Sequence, residues 1–332
     1  MPYITVKQSP RHLQMTLEEM LAGASDLNKF VLNNESNTHT YFVERPSVAL
    51  LEKTDVYRMI DLLDGFNNLY SALYEADRAS LYRQFYLPKK SGGLRQINAP
   101  NDELMSALYH LKAIFETHIL SLAHTTAFAY VRKRSIVDAV RRHQANESKW
   151  FLKLDFADFF PSTTHDFVMR MFSQIFPFSE IVRHAAGRDA LSKTLDLCFL
   201  NGGLPMGTPI SPFITNVMMI AIDHKLNKEL QDFDNRHFVY TRYADDLIIS
   251  CKIDFCKDKV TNLLNTVLAE FDTPFSIKHE KTRYGSSSGR NWNLGLMLNK
   301  DKLDTRRKSG SKQCFTVICV TERMVSLGKK AH

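Results

Sequence analysis

Phe238 to Ser250 read "FVYTRYADDLIIS", two runs of strand-forming residues with adjacent aspartates, Asp245 and Asp246, between them. Aromatic and β-branched residues on both sides of a polar turn predict a hairpin. Two neighbouring carboxylates repel, and each has an ordinary pKa of about 3.9, so at neutral pH the pair must be solvated, share a proton or hold a cation. Arg242 is the one cationic residue within the stretch. Read alone, an Asp-Asp turn is equally ordinary hairpin chemistry, because Asp side chains accept from nearby backbone N–H groups. The surrounding chain decides between the two readings.

Upstream, "WFLKLDFADFFPS" places a short strand from Trp150 to Asp155. The Gly/Pro-rich loop "GGLPMGTPISP" follows, then one predicted helix with Ile214, Val217, Met218, Ala221 and Ile222 on one face. Beyond the hairpin, Val260, Leu263, Leu264, Val267, Leu268 and Phe271 mark another core-facing helix. Strand, helix, hairpin, helix, strand is a split β-α-β order, which predicts an α+β fold with an antiparallel sheet covered by helices on one face. In that layout Asp155 is positioned to join Asp245 and Asp246.

Nearer the N-terminus, "FYLPKKSGGLRQINAP" (Phe85 to Pro100) predicts a hairpin around Ser91-Gly92-Gly93. From Asp102, apolar residues at Leu104, Ala107, Leu108, Leu111, Ile114 and Phe115 have amphipathic-helix spacing. Ser135-Ile-Val-Asp138 is a capping box opening a helix that carries Arg141, Arg142 and His143. Residues 1–75 read as mainly helical, with a polar interruption at "LNNESNTHT", a boundary at Arg45-Pro46 and no recognisable chemistry.

Composition narrows the class. A chain of 332 residues, 44% hydrophobic, can bury a large core and divide into subdomains. No apolar run approaches the roughly 20 residues that span a bilayer, and the first residues lack a signal-peptide layout, so the expectation is a cytoplasmic protein without a membrane partner. Five cysteines do not suggest a disulfide framework. The Cys251/Cys256 and Cys314/Cys319 spacings are loose for zinc, and the second pair reads as a strand. The net charge of +7 is uneven: Arg78 to His143 holds eleven Lys/Arg against four Asp/Glu, and Lys300 to His332 nine against three. Basic regions around an acidic middle suit a polyanion binder with a metal centre, although solvated faces would also produce them.

Carboxylates from neighbouring strands, without His or Cys, make a hard oxygen site suited to Mg²⁺ or Mn²⁺. Two such ions serve phosphoryl transfer, which otherwise needs positioning and cations for the triphosphate. Lys89, Lys90 and Arg95 on the predicted hairpin are candidates.

Taken together these segments resemble reverse transcriptases. "RYADDLIIS" is similar to their Tyr-x-Asp-Asp motif, "LDFADFFPS" to their first catalytic-aspartate motif, and "GGLPMGTPISP" to the loop and helix against template and nucleotide. "LPKKSGGLRQINAP" resembles the fingers hairpin, "SIKHEKT" the following lysine motif, and "NWNLGLMLN" occupies the place of the primer grip. The resemblance runs in family order from about Phe85 to Asn299, most closely to retron and phage-defence members.

The resemblance implies a right-hand polymerase: an N-terminal helical extension (1–75), fingers (76–150), a palm (151–285, with a fingers-type insertion around 170–200), and a primer-grip segment with an abbreviated thumb (286–332). It implies an RNA-directed DNA polymerase using two Mg²⁺ ions, with Mn²⁺ an alternative, and dNTP substrates. Asp155, Asp245, Asp246 and the Phe156 carbonyl would bind metal. Lys90 and Arg95 would grip the triphosphate, and Ala157, Phe160, Met206 and Gly207 would line the nucleotide. Phe160 falls at the aromatic steric gate, where a ring excludes a 2′-hydroxyl; its plainer role is core, as for Phe159. Lys281 matches the lysine that protonates departing pyrophosphate, or is a surface lysine. Asp158 is expected to cap or face solvent.

Two departures stand out. Met206 replaces the family's usual Gln, losing an amide and predicting altered nucleotide handling. The short segment after the primer grip predicts low processivity, or a protein partner or homo-oligomer in place of thumb surface. The expected partners are an RNA template, a primer and a dedicated non-coding RNA of a retron-like or antiphage system. Template-independent or protein-primed synthesis on the same palm, and an RNA-binding scaffold with a vestigial site, are the alternatives.

Overall fold

Strand alternation and helix periodicity converge on one four-stranded antiparallel sheet with most of its helices stacked on one face. The computed structural model describes residues 53–88, 92–118 and 123–287, with short strands β1 (Ile4–Thr5), β2 (Thr40–Tyr41), β9 (Leu296–Leu298) and β10 (Leu303–Thr305). β1 and β2 pair with each other, so a strand pair lies within a segment expected to be mainly helical. Helix α1 (Lys53–Leu69) buries Val56, Met59, Ile60, Leu63 and Phe66, and α2 (Ser71–Glu75) follows.

The expected hairpin forms as β3 (Tyr82–Pro88) and β4 (Leu94–Pro100), antiparallel throughout, with Gly92 and Gly93 both at positive φ in its loop. Asn101 then caps α3 (Asp102–His118): its Oδ1 accepts the Leu104 N–H at 2.9 Å. Acidic Asp102 and Glu103 in the first turn complement the helix dipole, and all six apolar positions of the expected stripe are buried. The capping box also forms, opening α4 (Ile136–Ala145): the Asp138 N–H donates to Ser135 Oγ and the Ser135 N–H to Asp138 Oδ2.

β5 (Trp150–Asp155) is the second-from-edge strand of the main sheet. Six α-helices separate it from the next strand, the first five being α5 (Phe159–Ser162), α6 (His165–Phe172), α7 (Phe178–Arg183), α8 (Ala185–Asp196) and α9 (Ser211–Met218). The helix expected after the Gly/Pro loop is broken, for Met219 (φ −82°, ψ −7°) separates α9 from α10 (Ile220–Asp232). Periodicity could not reveal this, because Ile220, Ala221 and Ile222 continue the buried run beyond the break. The hairpin β6 (Val239–Tyr243) and β7 (Asp246–Cys251), helix α11 (Lys257–Glu270) and β8 (Arg283–Ser286) complete the unit.

The strand order is β6-β7-β5-β8, with every pairing antiparallel. Leu152, Leu154, Leu247 and Ile249 point into the main helical core, whereas Phe151 and Ile248 form a small separate cluster on the other face. That second face carries the candidate site.

Candidate active site

The register of β5 against β7 sets Asp155 directly opposite Asp246. Tyr243 pairs with Asp246, leaving Ala244-Asp245 as a two-residue turn. Ala244 has φ 58°, in the left-handed region that a residue bearing Cβ seldom occupies. The turn is tied to the end of β5, since the Phe156 N–H donates to the Asp245 carbonyl at 3.1 Å. From the other side, the Lys278 N–H donates to the Asp155 carbonyl at 2.8 Å, and the Ala157 N–H to that of Ser276.

Strand alternation sends Lys153, Asp155 and Asp246 to the face away from the main core. Asp155 and Asp246 are 7% and 9% exposed, and each meets a lysine. Lys281 Nζ lies 2.9 Å from both oxygens of Asp155, and Lys153 Nζ lies 2.8 Å from Asp246 Oδ1. Burial pushes the Asp245 carboxyl above its ordinary range, and the charges of Asp246 and Asp155 add to the push. Burial likewise raises Asp246, against the pull of Lys153. For Lys281 burial acts downward, but the bond to Asp155 and the three carboxylate charges outweigh it, so its ammonium form is reinforced.

Arg242, the one cation in the hairpin stretch, points to the opposite face. It is 1% exposed and forms a bidentate pair with buried Asp223, Nε at 3.0 Å from Oδ1 and Nη2 at 2.8 Å from Oδ2. The sequence reading missed Lys153, although its place two residues before Asp155 on one strand puts both on one face. It also missed Asp223, which carries no local motif.

Among the described residues, no three His, Cys, Asp or Glu side chains form a ready-made metal cluster. Asp155, Asp245 and Asp246 nonetheless offer only hard oxygen donors. Burial, with neighbouring carboxylate charge behind it, raises the Asp245 and Asp246 carboxyls, so a divalent cation fits the three aspartates by charge and ligand type. Cys251 is buried and Cys256 exposed; Cys314 and Cys319 lie outside the described residues.

Phe160 is half-buried, edge-on to core residue Phe159 with ring centroids 5.6 Å apart. Its carbonyl accepts the Leu204 N–H at 3.0 Å, which fastens the Gly/Pro loop beside it. Gly203 makes this approach possible, because a Cβ there would sit 2.0 Å from the Pro161 carbonyl oxygen. The Met206 carbonyl accepts the Asn98 N–H at 3.2 Å, and Gly207 (φ 115°) packs on Ile97 and Asn98, so the loop is joined to strand β4. Asp158 is exposed, precedes α5 with φ 44° and makes no capping bond through its side chain. Lys89, Lys90, the Arg95 side chain, most of "NWNLGLMLN" and most of the expected thumb lie outside the described residues. Among the described residues no helix is long and apolar enough to cross a membrane.

Comparison with known proteins adds an independent line. The family described as reverse transcriptase (RNA-dependent DNA polymerase) matches residues 87–311. A retron Ec73 reverse transcriptase of Escherichia coli is 28% identical over 62% of this chain and 65% of its own length. A retron Mx162 reverse transcriptase of Myxococcus xanthus is 30% identical over 68% of this chain and 48% of its own. The chain thus spans only part of the length of these relatives. An apo telomerase of Candida tropicalis lacking its C-terminal domain superposes at TM-score 0.46 and 14% identity, over 69% of this chain and 56% of that one.

Proposed function

Since this chain belongs to the reverse transcriptase (RNA-dependent DNA polymerase) family, in its bacterial retron-like part, we propose that it adds deoxynucleotides to a primer 3′ end on an RNA template. The observation that carries this reading is the β5–β7 register, which sets Asp155 opposite Asp246 with Asp245 on the adjoining turn. Asp155, Asp245, Asp246 and the Phe156 carbonyl would hold two divalent ions, Mg²⁺ or Mn²⁺, which when bound activate the 3′-hydroxyl and offset charge on departing pyrophosphate.

The chain's own residues do the rest. Buried carboxylates fixed by strand register keep the donors in place without reorganisation. Lys281, its ammonium favoured beside Asp155, would give a proton to the leaving group once that contact loosens. Lys90 and Arg95 hold the triphosphate. Ala157, Phe160, Met206 and Gly207 shape the nucleotide pocket, Phe160 under the sugar and Met206 in place of an amide.

In this reading residues 1–75 are an N-terminal extension, 76–150 fingers, 151–285 palm and 286–332 primer grip and thumb. The likeness to retron reverse transcriptases supports a retron-like setting; in this reading the template is a dedicated non-coding RNA of a retron-like or antiphage system, and a protein partner or second copy supplies thumb surface.

The test is extension of a labelled primer on RNA by purified protein, with the co-purified nucleic acid sequenced. Asp155→Asn and Asp245→Asn are each expected to lower synthesis by at least about 100-fold while folding and RNA affinity hold. Synthesis by these variants at the wild-type rate would sink the assignment.

A further inference from the structure

Beneath the catalytic turn, on the core side of the sheet, lies a buried polar network whose members all converge on Arg242. Asp223 on α10 takes two of its nitrogens, and Tyr240 Oη donates to Asp223 Oδ1 at 2.8 Å. Nη2 also reaches Asn216 Oδ1 on α9 at 3.3 Å. Nη1 donates to the Ala244 carbonyl at 3.2 Å, the peptide that joins Ala244 to Asp245. The backbone of Arg242 is committed as well: its N–H donates to the Thr126 carbonyl at 2.8 Å and its carbonyl accepts from Phe128 at 2.9 Å.

Both side chains of the Asp223–Arg242 pair have 0% exposure. A fully desolvated ion pair gives up much hydration, and an apolar pair of similar volume commonly stabilises a core as well or better. Stability alone is therefore a poor account of it. What an apolar pair cannot do is bond a carbonyl that the strand ladder leaves over, in a turn whose first residue sits at φ 58°. We infer that Arg242, braced by Asp223, is a positioning residue that fixes the Ala244–Asp245 peptide and thereby the aim of the Asp245 carboxylate. The inference rests on the polymerase reading for its catalytic consequence, but not for its structural one.

The test uses the full chain in three forms. Arg242→Lys keeps a charge for Asp223 but cannot also reach Ala244 and Asn216. The triple variant Asp223→Leu/Tyr240→Phe/Arg242→Met replaces the network with apolar side chains and leaves no buried charge behind. Leu264→Ala, in the buried face of α11, is a control for lost stability alone.

Two quantities are read: single-turnover nucleotide addition on pre-bound primer–template, and amide hydrogen exchange at Phe156, whose N–H bonds the turn carbonyl. We expect both network variants to unfold cooperatively, to bind primer–template within about twofold of wild type, and to add nucleotide about 100-fold more slowly. Phe156 exchange should rise at least about tenfold in both and stay unchanged in Leu264→Ala.

A folded network variant with wild-type exchange at Phe156 would overturn the inference. So would equal loss of rate in Leu264→Ala, or failure of both network variants to fold, since each assigns the network to fold maintenance. If the wild-type chain adds no nucleotide, the polymerase reading falls, and Phe156 exchange still decides whether Arg242 fixes the turn.

Discussion

Lys153 and Lys281 each place an ammonium on a carboxylate that the proposed chemistry needs for metal, while half-buried Asp245 meets the charges of two neighbouring aspartates. Such a site costs the fold something. Asp245→Asn removes that repulsion without changing shape, so the variant expected to be inactive should also melt a few degrees higher than wild type, as calorimetry without metal would read. An equal or lower Tm would mean that the lysines already cancel the repulsion.

At this scale the three aspartates were legible because each sits in a short, ordered motif. The direction of the Arg242 side chain was not legible, for want of register. Arg242 pairs with Leu247, a core residue, so its side chain goes to the core face. Nothing within "TRYADD" announces that pairing, because it depends on where the strand turns.

Single elements were legible where local chemistry dictates them, as in the capping box of α4 and the apolar stripe of α3. What α4 carries inward was not. His143 is 1% exposed on the second face of the sheet, with Nδ1 2.6 Å from Ser250 Oγ and Nε2 2.8 Å from Thr241 Oγ1. Ser250 Oγ donates to Ser148, so it accepts from His143 Nδ1–H, and in the neutral ring Nε2 then accepts from the Thr241 hydroxyl. Burial, with the charge of Arg142, holds its pKa down at about 3.

Below its ordinary pKa the unfolded chain takes up a proton at this ring and the folded chain does not. The stability it contributes is therefore complete above about pH 6.5 and is lost progressively as pH falls toward 3. His143→Gln is expected to be less stable than wild type at pH 7 yet to lose less between pH 7 and pH 5. Urea unfolding at both values checks this, and parallel losses in the two proteins would refute it. The break at Met219 had no comparable signal, because the residues on both sides are equally buried.

For the whole molecule, the excess of cations between Arg78 and His143 is not all surface. Arg134 donates to the carbonyls of His124 and Ala127, Arg142 lies over the Phe128 ring, and Arg78 pairs with Asp196. Counting charges along the sequence thus overstated the basic surface, although exposed Arg132 and Arg141 remain. With several phosphates still contacted, affinity for single-stranded RNA should fall at least about tenfold between 50 and 200 mM salt, measured by fluorescence anisotropy. A flat salt response would mean that RNA is not held by its backbone.

The contact between Lys281 and Asp155 joins residues 126 positions apart in the chain. During synthesis, β5 emerges with an unpaired Asp155 long before β7, the turn at His279–Lys281 and β8 exist to flank it. Helices between them can pack early, but pairings this distant close late. Any nascent or prematurely ended chain stopping short of Lys281 therefore lacks the ammonium that meets Asp155, so the proposed site is complete only after nearly all of the main sheet has been made.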